Sequence, residues 1–139
     1  MPAKGLIDTG AIIALVDRRD RWHQACRAAF VGLQLPLATS AAVHAELFHL
    51  VGSNPREVFA AWAFVRSGAV TVLPIDDDDM APLHALMTRY ADRPMDFADA
   101  TLVHLAEREA LSTVLTVDHS DFETYRIGRR GRFRVVPGR

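Results

Sequence analysis

The stretch GLIDTGAIIALVDRRD (residues 5–20) joins a short apolar run to a segment with helical periodicity, and Asp8 stands at the junction. GLID predicts a buried strand, and TGAIIALVD predicts the helix that follows it. Burying an unpaired carboxylate costs several kcal/mol unless a partner or a metal compensates the charge. We therefore expect Asp8 to meet a compensating group that another part of the chain supplies.

Composition and length limit the class of protein. With 139 residues, of which 50% are hydrophobic, the chain can bury one sizeable core, and we predict a single domain over residues 1–139. Its apolar runs fall short of the roughly 20 residues that a membrane span requires, and Asp8 lies where the apolar core of a secretory signal would be. A lone cysteine, Cys26, cannot form an internal disulfide. These features predict a cytoplasmic protein without a membrane segment.

Strands and helices alternate along the chain. The predicted strands after GLID are PLAT (36–39), AVTVLPI (69–75), TVLTVD (113–118) and RFRVVP (132–137). Such alternation predicts an α/β fold with a mainly parallel sheet that helices cover on both faces. Ligands of open parallel sheets bind beyond the carboxyl ends of the strands, and Asp8 and Asp118 both stand at such ends. The two carboxylates should face one crevice if their strands are neighbours.

Two predicted helices contribute further acids. Asp96 and Asp99 stand three residues apart at the start of a helix, so they share a face near its positive end. Glu46 interrupts the apolar stripe of AAVHAELFHLV (41–51), which predicts a half-buried position. Taken singly, Asp96 is an ordinary N-cap, Asp99 an acid favoured by the helix dipole and Glu46 a rim residue.

Taken together, these acids favour a metal site. Carboxylates gathered without basic partners repel one another and raise each other's pKa, so a cation is expected among them. Oxygen ligands suit Mg²⁺ or Mn²⁺ better than zinc. The six histidines form no zinc-binding pattern, because His44 and His49 are five residues apart and no HExxH motif occurs.

Four segments resemble the signature blocks of PIN-domain proteins, in particular the VapC-type toxins of bacterial toxin-antitoxin pairs. They are LIDTGAIIALVDRRD, TSAAVHAEL, DFADATLVHLAERE and VLTVDHSDF, and together they extend from about Leu6 to Phe122. The resemblance implies a PIN-like (Rossmann-like) α/β/α sandwich with a central, mainly parallel sheet. It also implies a Mg²⁺- or Mn²⁺-dependent endoribonuclease, a cognate antitoxin that blocks the site, and a homodimer.

The resemblance also assigns roles to residues. Its catalytic, metal-binding quartet falls on Asp8, Glu46, Asp99 and Asp118, with accessory positions at Asp96, Thr9, Ser40 and Thr116. We assign Asp8 and Asp99 as direct metal ligands, and Glu46 and Asp118 as ligands of a second ion or of water. Asp121 offers a rival acid beyond Asp118, and we predict that it is peripheral.

The expected reaction is hydrolysis of RNA phosphodiester bonds by metal-activated water. Attack by the RNA 2′-hydroxyl would require paired acid-base side chains such as histidines, which the sequence does not bring together. The predicted products carry a 5′-phosphate and a 3′-hydroxyl. The alternative is a catalytically inactive module that binds RNA or a protein partner. A phosphotransfer domain fits poorly, because Gly10 replaces a second aspartate and Lys4, the sole lysine, precedes the first strand.

Two charged segments lie outside these motifs. Six arginines and no acids follow residue 125, so the tail is either a phosphate-facing or partner-facing surface or a solvated edge (Arg126, Arg129, Arg130, Arg132, Arg134 and Arg139). The run DDDD (76–79) predicts a helix N-cap and first turn with a solvated face.

Overall fold

A computed structural model describes residues 2–93 and 95–139. The predicted domain range 1–139 includes Met1 and Pro94, which lie outside the described residues. The strands are β1 (Leu6–Ile7), β2 (Leu37–Thr39), β3 (Val70–Val72), β4 (Thr113–Leu115), β5 (Arg126–Ile127), β6 (Gly131–Arg132) and β7 (Arg134–Val136). The helices are α1 (Thr9–Val16), α2 (His23–Val31), α3 (Ala41–Val51), α4 (Pro55–Val65), α5 (Met80–Arg89), α6 (Phe97–Arg108) and α7 (His119–Thr124), with a 3-10 turn at Asp77–Asp79.

Five strands form one parallel sheet in the order β3-β2-β1-β4-β7, so β1 lies at its centre. Leu6 pairs with Ala38 of β2 on one side and with Val114 of β4 on the other. The chain therefore builds outwards from β1 to β3 and then returns to add β4 and β7 on the opposite side. This reversal of strand order between β1 and β4 is the place where open α/β sheets bind their ligands. The predicted α/β fold with a parallel sheet is confirmed.

Helix α6 is the most deeply buried helix of the described chain, with every residue from Ala98 to Ala106 buried. It packs against α3 and α5. A helix that packs on several sides buries polar as well as apolar positions. As a result Asp99, Thr101 and His104 are polar side chains inside the protein.

Three helices begin at the carboxyl edge of the sheet with side-chain caps. Asp8 accepts a hydrogen bond from the Thr9 amide at the start of α1, and Ser40 accepts one from Val43 at the start of α3. Asp96 caps α6 in the same manner. Two of these caps are acids, so capping already places negative charge at this edge.

The structure departs from the sequence prediction in three places. The fourth strand ends at Leu115 instead of residue 118. The Thr116 amide still donates to the Val136 carbonyl of β7, and the chain then enters α7 at Asp118. The hairpin of β5 and β6 and the short helix α7 were not predicted. Asp79 of the four-aspartate run is buried and hydrogen-bonds to His104 at 2.6 Å, so the prediction of a solvated face is wrong for this residue.

The helices of the described residues fall short of the length and apolar character needed to cross a membrane.

Helix α3 offers a matched test of its core contacts. Leu47 is fully buried, whereas Leu50 on the same helix is 59% exposed. Leu47→Ala should lower the free energy of unfolding by about 2–5 kcal/mol, because it removes buried methyl groups and leaves a cavity. Leu50→Ala should change it by less than about 0.5 kcal/mol. Urea denaturation measures both, and equal losses would contradict this orientation of α3.

Candidate active site

Asp8 follows β1 and is only 6% exposed. One carboxylate oxygen accepts a hydrogen bond from the Thr9 amide at 2.8 Å, and the other accepts one from the Thr116 hydroxyl at 3.1 Å. Both donors are neutral, so they satisfy the oxygens without cancelling the charge. Burial raises the pKa of Asp8 to about 7, and the nearby charges of Glu46 and Asp118 add to the rise.

Asp99 lies in the first turn of α6, directly above its N-cap. Its amide donates to the Asp96 carboxylate at 2.8 Å, and its own carboxylate accepts a hydrogen bond from the Tyr125 hydroxyl at 2.9 Å. Burial raises the pKa of Asp99 to about 8, and the charges of Asp8 and Asp96 raise it further against the lowering effect of Tyr125. A buried acid with this pKa needs a cation to be fully ionised at neutral pH.

Asp118 and Asp121 stand at the start of α7. Burial raises the pKa of Asp118 to about 6, and Asp121 contributes to the rise. Burial would also raise the pKa of Asp121, but hydrogen bonds from Asp118 and Arg93 lower it below the usual value. Arg93 donates to the Asp121 carboxylate at 2.8 Å. Asp121 is therefore the member of this group that a guanidinium neutralises.

Asp99, Asp118 and Asp121 each offer one carboxylate oxygen, and these three oxygens lie within 4.8 Å of one another. This distance corrects the prediction that Asp121 is peripheral, because the first turn of α7 brings it back beside Asp118. Three carboxylates at such a separation form a ligand set that suits a divalent cation with a preference for oxygen. Of the three, only Asp121 has a basic partner among the described residues.

All four members of the predicted quartet line one pocket of about 510 Å³. We call it the acid pocket and define it by six carboxylates: Asp8, Glu46, Asp96, Asp99, Asp118 and Asp121. Thr9 lines it too. A larger and mostly apolar groove of about 810 Å³ adjoins it and shares Glu46 and Asp96. Carboxylates from two strand ends and three helices thus converge at the reversal point of the sheet.

Two predicted accessory hydroxyls have other surroundings. Thr116 is fully buried beneath the acid pocket, where it donates to Asp8 and accepts from the Asp118 amide at 2.9 Å. Ser40 caps α3 and shares a hydrogen bond of 2.7 Å with the Thr101 hydroxyl. Neither Thr116 nor Ser40 is among the described residues that line the acid pocket. They position other groups and do not face the ligand space.

Gly10 permits a close approach of α1 to the loop after β4. A Cβ atom at this position would lie 2.7 Å from Cγ2 of Val117, a distance that real side chains do not adopt. Gly10 and Val117 both line the acid pocket. The glycine therefore brings Asp8 on one side and Asp118 on the other close together.

Sequence reasoning missed Tyr125 and Arg93, which contact the acids directly. Tyr125 is fully buried at the end of α7 and reaches back to α6. Arg93 lies between α5 and α6 and reaches Asp121 across 28 positions of sequence. Neither residue belongs to a periodic pattern or a spaced motif, so only the tertiary fold reveals the contacts.

Comparison with known proteins identifies the family. Residues 5–127 match the PIN domain model. Over 142 aligned residues the chain is 30% identical to ribonuclease VapC26 of Mycobacterium tuberculosis, with 95% of this chain and 99% of that protein covered. The chain belongs to the PIN domain family, which confirms the resemblance seen in the four sequence blocks.

Two solved structures share the fold. One is VapC20 of Mycobacterium tuberculosis, a sarcin-ricin loop cleaving toxin, with a TM-score of 0.73 and 22% identity over 84% of this chain and 92% of that chain. The other is FitAB bound to an IR36 DNA fragment, with a TM-score of 0.62 and 20% identity over 84% of this chain and 87% of that chain. Both support the α/β/α architecture.

The metal-free chain should lose stability as pH rises. Asp8 and Asp99 have pKa values of about 7 and about 8 in the folded chain, against 3.8 for a free aspartate. Between these values the two acids stay protonated in the folded chain but are ionised in the unfolded chain. The free energy of unfolding is therefore highest below about pH 4 and falls as pH rises through about 8. One pKa unit is worth about 1.4 kcal/mol, or about 4 °C in melting temperature.

The measurement is thermal unfolding in chelator from about pH 5 to about pH 8. Asp99→Asn cannot ionise at this position, so its melting temperature should fall less than that of the wild type over the same interval. Asp92→Asn removes an exposed acid and should keep the wild-type slope. Identical slopes for the wild type and Asp99→Asn would refute the raised pKa of Asp99.

Tyr125→Phe should weaken metal binding near neutral pH. The Tyr125 hydroxyl stabilises the ionised form of Asp99, so its loss raises the pKa of that acid and leaves more of it protonated. A hydrogen bond to a charged group is worth about 1.5 kcal/mol, which predicts about a tenfold loss of Mn²⁺ affinity and partial recovery at higher pH. Titration calorimetry measures the Mn²⁺ affinity near neutral pH and at higher pH. Tyr90→Phe is the control, because the Tyr90 hydroxyl accepts a hydrogen bond from the Arg126 amide.

Proposed function

We propose that this chain is a divalent-metal-dependent endoribonuclease and the toxin component of a toxin-antitoxin pair. The observation that carries the proposal is the acid pocket, in which buried carboxylates with raised pKa values converge at the carboxyl edge of the sheet. Membership of the PIN domain family supports a nuclease activity, and the 30% identity to ribonuclease VapC26 supports RNA as the substrate.

The donor set of the acid pocket fits Mg²⁺ or Mn²⁺. Asp99, Asp118 and Asp121 supply oxygens within 4.8 Å of one another, and Asp8 lines the same pocket. We assign these four as the groups that would hold the ion, with Glu46 facing the space beside them. When bound, the ion would lower the pKa of water and neutralise negative charge on the phosphate.

The chain's own residues orient the carboxylates. Thr116 fixes Asp8 and the backbone of Asp118 through one hydroxyl, and Tyr125 fixes one oxygen of Asp99. These neutral partners hold the acids in place and leave their negative charge available to a cation. Arg93 has the opposite effect on Asp121, because it neutralises that acid and moderates the repulsion from Asp118.

We propose water, and not the RNA 2′-hydroxyl, as the nucleophile. The described residues that line the acid pocket include six acids and no histidine, so a pair of imidazoles for acid-base catalysis does not face the ligand space. Water attack at phosphorus with departure of the 3′-oxygen gives a 5′-phosphate and a 3′-hydroxyl.

The proposed partners follow from the relatives. VapC26 is a ribonuclease and VapC20 a toxin, which supports a cognate antitoxin for this chain. We also propose a homodimer, which sedimentation of the purified chain can test.

Asp99→Asn should reduce RNA cleavage about a hundredfold or more, because it removes a central anionic oxygen from the acid pocket. The assay incubates the purified chain with total RNA and Mn²⁺ or Mg²⁺ and then sequences the new ends. Asp92→Asn, at an exposed acid before α6, should cleave like the wild type. Chelator should abolish cleavage by the wild type.

Three outcomes would count against the proposal. They are cleavage that survives chelator, ends that carry a cyclic phosphate, and full activity of Asp99→Asn. RNA binding without cleavage at every metal concentration would instead support the inactive binding module.

A further inference from the structure

The hairpin of β5 and β6 displays unpaired positive charge. We call residues 126–132 the arginine hairpin, and three of its arginines are exposed to solvent: Arg129, Arg130 and Arg132. Within the described chain these three have neither an ion pair nor a side-chain hydrogen bond. Arg126 and Arg139 differ in this respect, since Arg126 donates to three backbone carbonyls and Arg139 pairs with Glu123. Arg134 is also exposed, but it lies on β7 of the main sheet, outside the hairpin.

The hairpin concentrates this charge at an energetic cost. Arg126 and Arg132 are directly opposite each other in the antiparallel pair, so their side chains share one face. Like charges in such a position destabilise a strand pair. A bound anion would relieve the repulsion, whereas an uncharged ligand would not.

The backbone of the hairpin is held against the body of the protein. The Arg89 guanidinium donates to the Gly128 carbonyl at 3.1 Å, and the Arg126 amide donates to the Tyr90 hydroxyl at 2.9 Å. At Gly131 a Cβ atom would lie 2.7 Å from the Ile127 carbonyl oxygen, so the two strands approach more closely than a side chain permits. The arginines therefore project from a fixed support, which lowers the entropy lost on binding.

The hairpin begins beside the acid pocket and extends away from it. Tyr125, which bonds to Asp99, immediately precedes it. Its turn reaches Glu107, whose carboxylate would lie 3.6 Å from a Cβ on Gly128. Glu107 is eight residues beyond Asp99 on α6, a rise of about 12 Å. That distance corresponds to roughly three or four nucleotides along a helical strand.

The chemistry of the arginine hairpin suits phosphate better than bases. Guanidinium groups bind phosphate oxygens through paired hydrogen bonds. The two aromatic residues that flank the hairpin, Tyr125 and Phe133, both pack edge-on against Phe122 at 5.3 Å between ring centres. Tyr125 is fully buried and Phe133 is half-buried, so neither is an exposed platform for base stacking. The surface therefore favours the backbone of a nucleic acid without regard to sequence.

We infer that the arginine hairpin binds the phosphates of the RNA strand that extends out of the acid pocket. The inference rests on the proposed ribonuclease function and deepens it, because it names a second contact surface for the same substrate. An acid pocket repels a polyanion. The hairpin turn lies beside Glu107, about 12 Å along α6 from Asp99, and its cationic surface supplies the attraction that the pocket lacks. The hairpin thus contributes to substrate affinity and to the direction in which the strand leaves the site.

The test measures binding of a fluorescein-labelled oligouridylate to the full chain in chelator, over a series of salt concentrations. Log affinity falls as log salt rises, and each phosphate contact on a single strand contributes about 0.7 to the steepness of that fall. The triple variant Arg129→Gln, Arg130→Gln and Arg132→Gln should therefore reduce the steepness by about 2. At about 0.1 M salt its affinity should be on the order of a hundredfold weaker.

The matched control removes three exposed arginines elsewhere: Arg18, Arg27 and Arg66, each replaced by Gln. It has the same net charge as the hairpin variant and should keep most of the wild-type affinity and slope. The Arg→Lys version of the hairpin variant should also retain most of the slope, because lysine preserves the charge. Melting curves confirm that every variant is folded.

Each result has a distinct meaning. Equal losses in the hairpin and control variants would overturn the inference, because net charge alone would explain them. Unchanged RNA binding by the hairpin variant would also overturn it and would favour an acidic protein partner for this surface. Cleavage is assayed separately with Mn²⁺, so a wild-type chain that binds RNA through the hairpin yet cleaves nothing would refute the proposed nuclease and retain the binding surface.

Discussion

The hydroxyl of Thr116 joins the two strand ends on which the acid pocket depends. It donates to the carboxylate that follows β1 and accepts from the amide of Asp118 beyond β4. This bridge is possible only because β1 and β4 are adjacent parallel strands whose carboxyl ends meet at one edge. Had the chain inserted another strand between them, the carboxylates of Asp8 and Asp118 would be separated by about 10 Å. The order of the sheet therefore determines the site.

Convergence of acids imposes a thermodynamic cost on the metal-free chain. Asp8 and Asp99 are buried, and their hydrogen-bond donors are neutral. Because no ion pair among the described residues compensates their charge, burial raises the pKa of both acids. Asp79 shows the alternative solution within the same protein, because the Asp76 amide, His104 and Arg108 together lower the pKa of that buried acid to about 2. The difference is that basic partners neutralise Asp79 within the fold, whereas Asp8 and Asp99 have only neutral donors in the described chain and remain available to a cation.

The sequence predicted the acids that stand at the ends of regular elements. Asp8 and Asp118 follow apolar strands and Asp99 begins a long periodic helix, so local patterns locate all three. Asp121 was misjudged because α7 has only six residues and is too short for a readable period. Tyr125 and Arg93 were missed because their contacts with Asp99 and Asp121 arise from packing between α5, α6 and α7. Such contacts have no spacing rule in one sequence.

The distribution of charge has a physical logic that the net charge of -1 conceals. Negative charge is buried at the carboxyl edge of the sheet, where desolvation strengthens its attraction for a small cation. Positive charge is exposed on the arginine hairpin, where it remains hydrated and acts over about a Debye length of 8–10 Å. A phosphodiester strand bound at the first site would extend towards the second. Separation of the two charges prevents them from neutralising each other, so each remains available to the oppositely charged ligand.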